Sequence, residues 1–101
     1  MNDRMLSLLG LCYRARRLIA GEDQVLKEIQ KRSVRLVIVA GDASEKTKKR
    51  FTDKCKFYQI PLRIVSNRND LGKAIGKGER VVIGIADEGF SRKLISLIDG
   101  E

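Results

Sequence analysis

Two short segments of this chain combine residue types that can meet the hydrogen-bonding edges of a ligand. They are Gly21-Glu22-Asp23-Gln24-Val25-Leu26-Lys27 and, fifty residues later, Leu71-Gly72-Lys73-Ala74-Ile75-Gly76. In the first, Asp23 and Lys27 are spaced to share one face of a helix, with Gln24 beside them. An ionised Asp23 only accepts hydrogen bonds, Gln24 both donates and accepts, and Lys27 donates to a polar edge or a phosphate. Gly21, ahead of them, lets the backbone turn tightly and lets a ligand approach it closely. The plainer alternative is that Glu22 and Asp23 complement the helix dipole while Lys27 sits on a solvated face.

The second segment offers different chemistry. Gly72 and Gly76 each weaken a helix by about 1 kcal/mol relative to Ala. Leu71 and Ile75 either pack inward or, with the small residues around them, present apolar atoms that support an unstacked base. Arg68, Lys73 and Lys77 flank the segment within reach of phosphates. On the second alternative Gly72 is exposed, and added bulk there blocks a ligand without disturbing the core.

Charge points the same way. Lys and Arg number 21 against 13 acids, a formal net charge of +8 in 101 residues, which favours a polyanionic partner. The excess lies outside the C-terminal helix: residues 1–86 hold 19 basic and nine acidic side chains, residues 87–101 two and four. The basic side chains at Lys46, Lys48, Lys49, Arg50, Lys54 and Lys56 read as a solvated helix surface, with a secondary phosphate contact as the alternative.

Several function classes fall away. With no His, Ser-His and Cys-His nucleophile pairs are absent, and two isolated cysteines are too few for a zinc site. No metal, no cofactor and no enzymatic activity are expected. Cys12 and Cys55 suit a reducing cytoplasm. The apolar run Leu6 to Cys12 is too short for a membrane span and lacks a cleavage site. Gly76-Lys77-Gly78 is not a P-loop, because no Ser or Thr follows the Lys and the segment precedes a strand. Gly41-Asp42-Ala43-Ser44 follows a strand but lacks a glycine fingerprint.

The elements that must position the two segments follow from periodicity. Met5, Leu8, Leu9 and Cys12 predict a helix over 4–15. Leu18 to Ala20 predicts a strand, Glu22 to Arg32 a helix, and the apolar run Leu36 to Ala40 a strand buried on both faces. Asp42-Ala43-Ser44-Glu45 resembles a capping box with Asp42 as the cap, opening a helix that runs to about Tyr58. Ile60 to Val65 is a strand with Pro61 near its start. Asn67 to Ile75 is a polar turn leading into a short helix. Val81 to Ala86 is a strand and Asp87 to Ile98 a helix. This alternation predicts an α/β fold, a three-layer α/β/α sandwich around a four-stranded mixed sheet, formed as one domain over 1–101.

The two segments together resemble the signatures of the kink-turn-binding ribosomal-protein family. Gly21 to Lys27 is similar to its G-x-N-E-x-x-K segment and Leu71 to Gly76 to its L-G-x-A-x-G loop, while Arg35 to Ala43 resembles its central strand and following loop. The similarity spans roughly residues 4–98 and looks closest to the bacterial YlxQ-type members. It implies an α/β/α sandwich that binds a kink-turn, a sharply bent RNA with tandem sheared G·A pairs. It implies that Asp23, Gln24 and Lys27 face guanine edges, and that Leu71, Gly72, Ala74 and Ile75 cover a flipped-out nucleotide. Gly21, Glu22, Arg68, Lys73 and Gly76 complete the expected RNA-binding set. Asp23 stands where the family usually has Asn, and Gln24 where it usually has Glu. The expected partner is structured RNA, ribosomal or other, bound by a cytoplasmic monomer. The alternative is a protein–protein module on the same fold that has lost RNA specificity.

Overall fold

The computed structural model describes residues 3–100. Its elements are α1 (Asp3–Arg14), β1 (Leu18–Ala20), α2 (Glu22–Gln30), β2 (Leu36–Val39), α3 (Glu45–Tyr58), β3 (Leu62–Ile64), α4 (Arg68–Ala74), β4 (Val82–Ile85) and α5 (Glu88–Asp99). The strands lie in the order β1-β4-β2-β3. β2 runs parallel to β3, and β4 is antiparallel to both β1 and β2, so the sheet is mixed as expected.

Alternation along β2 explains the layers. Leu36 and Ile38 point to one face and Val37 and Val39 to the other, and all four are fully buried. On the first face they meet Met5, Leu9 and Cys12 of α1, Leu71 of α4 and Leu94 of α5. On the second they meet Val25, Leu26 and Ile29 of α2 and Phe51 and Cys55 of α3. Three helices therefore cover one face and two the other, which is the predicted three-layer sandwich. The two thiols lie on opposite faces of the sheet, both free and buried. Burial pushes each up to about 11, a state suited to core packing and not to reactivity.

The sequence reading needs one correction at the start of α3. Ser44, not Asp42, is the cap: its hydroxyl accepts from the Thr47 amide at 3.1 Å. Asp42 is instead turned toward α4, where Oδ1 accepts from the Arg68 amide at 2.9 Å. A carboxylate two residues ahead of the cap was free for a long-range partner, which spacing alone does not reveal. The remaining differences are small: α2 stops at Gln30, and left-handed Arg32 (φ 60) turns the chain toward β2.

Candidate nucleic-acid interface

Backbone hydrogen bonds gather both segments at one end of the sheet. The Gly21 amide donates to Val82 O at 3.0 Å, and the Ala40 amide to Val81 O at 2.8 Å. The Gly41 amide donates to Ser66 O at 2.9 Å, and the Arg80 amide to Arg68 O at 3.0 Å. The start of β4 thus joins the N-terminus of α2 to the loop that follows α4. One continuous rim results.

Within that rim, α2 presents its side chains. Val25, Leu26 and Ile29 are drawn into the core, which turns Asp23, Gln24 and Lys27 outward, all three exposed. Gly21 caps the helix at φ 104, and no side chain caps it. That conformation strains any residue with a Cβ, and the space a Cβ would enter is open. The first turn of α2 is therefore a bare helix N-terminus flanked by an acceptor, an amide and a cation. Glu22 behaves differently from its neighbours. Its Oε1 accepts from the Thr47 hydroxyl at 3.3 Å and lies 4.0 Å from the Arg50 guanidinium, so it fastens α2 to α3.

The second segment reverses this arrangement. Leu71 and Ile75 are 0% and 5% exposed, so their side chains belong to the core, and the expectation that they offer apolar atoms at the surface is corrected. Gly72 is buried too. A Cβ there would lie 2.0 Å from the carbonyl oxygen of Gly78, so the helix and the loop touch backbone to backbone. The Lys77 amide closes the loop by donating to Gly72 O at 2.9 Å. What faces outward is Lys73, Gly76 in a left-handed conformation (φ 72), Lys77 and Gly78, with Ala74 half-buried.

Arg68 also has a partner within the protein. Its Nη2 donates to Asp42 O at 2.7 Å and its Nε lies 3.4 Å from Asp42 Oδ2. The guanidinium thus holds α4 to the loop after β2 while its side chain stays partly exposed. Three positioning contacts escaped the sequence reading: this Asp42–Arg68 clasp, the Glu22–Thr47 bond, and Lys77 over the Tyr13 ring at 5.8 Å. None of the three has a local spacing that the sequence could show. At the same rim, Ser66 holds φ 66 with its buried hydroxyl lacking a hydrogen-bond partner.

Chemically, the rim can hydrogen-bond a ligand's edge from α2 and oppose negative charge from Lys27, Lys73 and Lys77. Among the described residues no cluster of acidic, His or Cys side chains is arranged to hold a metal. No helix among them is long and apolar enough to cross a membrane.

Comparison with known proteins supplies relatives of this arrangement. The model of the ribosomal protein L7Ae/L30e/S12e/Gadd45 family matches residues 3–95. RNA-binding protein YlxQ of Bacillus subtilis is 50% identical over 92 residues, covering 91% of this chain and 92% of its own. A protein of unknown function from Bacillus halodurans superposes with a TM-score of 0.92 at 60% identity, covering 94% of this chain and 96% of that one. The Giardia lamblia 15.5kD RNA binding protein shares the fold at a TM-score of 0.80 and 19% identity, over 94% of this chain and 82% of its own.

Proposed function

The chain belongs to the ribosomal protein L7Ae/L30e/S12e/Gadd45 family, and from that premise we propose that it is a non-enzymatic RNA-binding protein that recognises kink-turn RNA. The observation that carries this reading is the rim itself. It puts the outward face of Asp23, Gln24 and Lys27 and the basic loop after α4 at one end of the sheet, linked through the first residues of β4. In this reading α2 contributes side chains to the edges of sheared G·A pairs. The loop contributes bare backbone at Gly76 and Gly78 and the ammonium groups of Lys73 and Lys77. Leu71, Gly72 and Ile75 act from beneath, by holding that backbone in place. The partner is ribosomal or other structured RNA, and the protein acts as a cytoplasmic monomer.

Binding to the bent form shifts the RNA population by the difference in affinity between bent and extended states. End-to-end fluorescence transfer on a labelled kink-turn, in low salt without Mg²⁺, reads that shift. Micromolar protein is expected to raise transfer, and the effect should weaken steeply with added salt. Unchanged transfer, or equal affinity for a plain duplex, sinks the reading.

A further inference from the structure

The other end of the sheet carries a surface of a different kind. There the turns ending α2 and α3 and the start of α5 enclose a cleft of about 350 Å³, lined by Arg32, Arg35, Tyr58, Gln59, Pro61 and Glu88. Its size falls at the low end of the usual range for small-molecule sites, about 300–1,000 Å³. Arg32 and Gln59, both left-handed, shape its walls. The Arg32 guanidinium lies 5.0 Å over the Tyr58 ring, and Phe57 meets the same ring edge-on at 5.0 Å. Phe57 is 75% exposed. Beyond it, Arg50 and Lys54 border a hollow on the outer side of α3, with Asp53 held by Lys49 at 3.1 Å. A guanidinium, two aromatic rings and two further cations therefore run without interruption from the cleft to the outer face of α3.

A single exposed apolar ring is ordinary on a protein surface. An exposed ring continuous with a stacked guanidinium and bordered by cations is the composition that holds unpaired nucleotides. Every base offers a π-face to stack, and the cations follow the phosphates. Within the cleft Glu88, 3.8 Å from Arg92, can accept from base N–H groups, and Arg32 and Arg35 can meet a base edge or a phosphate. The rim described above has one ring, half-buried Tyr13 beneath Lys77, and no exposed one to match Phe57; Arg50, 4.0 Å from Glu22, lies between the two surfaces. We propose that this end of the molecule is a second RNA contact, taking one or two unpaired nucleotides of a single strand, with Phe57, Tyr58 and Arg32 as the stacking elements.

Tyrosine emission tests this directly, because the chain has two Tyr and no Trp. In a Tyr13→Phe background the signal comes from Tyr58. A short unpaired oligouridylate or oligoadenylate is expected to quench it. Phe57→Ala should weaken that titration about tenfold, in keeping with the loss of one base–aromatic stack. Phe57→Trp, which keeps a ring, should restore binding when measured with a labelled oligonucleotide. Lys27→Ala, at the other end, should leave the titration within about twofold. The readout uses no kink-turn, so it is decided separately from the proposed function. Absence of quenching overturns the proposal, as does a loss caused by Lys27→Ala and not by Phe57→Ala. If Phe57→Ala instead shifts the RNA-free protein from dimer to monomer in sedimentation and leaves oligonucleotide binding unchanged, the surface joins two copies of the chain and the proposal fails.

Discussion

The segments 21–27 and 71–76 both combine glycine, one lysine and apolar residues, yet they meet solvent in opposite ways. In the first, the apolar residues Val25 and Leu26 are buried and Asp23, Gln24 and Lys27 face out, so the outward surface is side-chain atoms. In the second, Leu71, Gly72 and Ile75 are all buried, and the outward surface is mostly backbone and lysine. α2 has nine residues and turns three polar side chains outward, whereas α4 has seven and packs its glycine against the Gly78 backbone. On the proposed reading, one segment would choose a ligand by chemistry and the other by shape.

The largest expected effect tests that division at its buried side. Leu71→Ala empties a fully buried site and should cost about 2–5 kcal/mol. By calorimetry the melting temperature should fall by at least about 10 °C. Where the variant is still folded, kink-turn affinity should fall only modestly, because the fully buried side chain is proposed to act through the loop backbone it supports. A large loss of affinity in a well-folded variant would give Leu71 a direct contact and erase the contrast.

Gly72→Ala comes next. The added methyl meets backbone and not a flexible side chain, so residues 78 and 79 must move, at about 1–3 kcal/mol. Because Lys77 hangs from the same loop, RNA binding should weaken together with stability. Gly76→Ala sharpens the point: a Cβ there meets nothing within 4 Å and carries only the left-handed backbone cost, about 1–2 kcal/mol. Thermal melts paired with RNA titrations check both. If Gly72→Ala melts like the parent, the backbone-to-backbone seating of the loop is wrong.

These variants also mark how far the sequence could be read. The layers were legible because β2 is apolar throughout and the helices repeat every three to four residues, so burial was encoded locally. The exposed face of α2 was legible for the same reason. The orientation of 71–76 was not, since a seven-residue helix holding a buried glycine has too few apolar residues to show a period. Nor were the tasks of Arg68 and Glu22, whose partners Asp42 and Thr47 lie 26 and 25 residues away. Charged residues beside a candidate site look like ligand contacts until a distant partner claims them. Phe57 illustrates the converse: helical spacing sets it off the face that carries Phe51, which is fully buried, and so marks it as exposed without showing what it lies beside.

The smallest effect falls on the side-chain half of the comparison and divides two roles carried by one residue. Asp23 is exposed on the first turn of α2, where its charge complements the helix dipole by about 0.3–1 kcal/mol. Facing RNA, the same charge repels phosphates and the carboxylate has no proton to donate. Asp23→Asn removes the charge and restores a donor at nearly constant volume. Binding to the kink-turn should therefore tighten by about 1 kcal/mol, while the melting temperature drops by a few degrees, at about 4–8 °C per kcal/mol. Stability and affinity move in opposite directions, which no general loosening of the fold can imitate. Lys27→Ala supplies the opposite sign: weaker binding, a salt slope flatter by about one unit if the ammonium meets a phosphate, and little change in melting. Titrations of parent and both variants at two salt concentrations, with melts alongside, resolve the set. If Asp23→Asn binds more weakly, the carboxylate accepts a hydrogen bond that an amide oxygen cannot replace, for instance from a guanine amino group. If neither substitution changes binding, this helix end is dipole complement and solvated lysine, and the rim loses the half that reads chemistry.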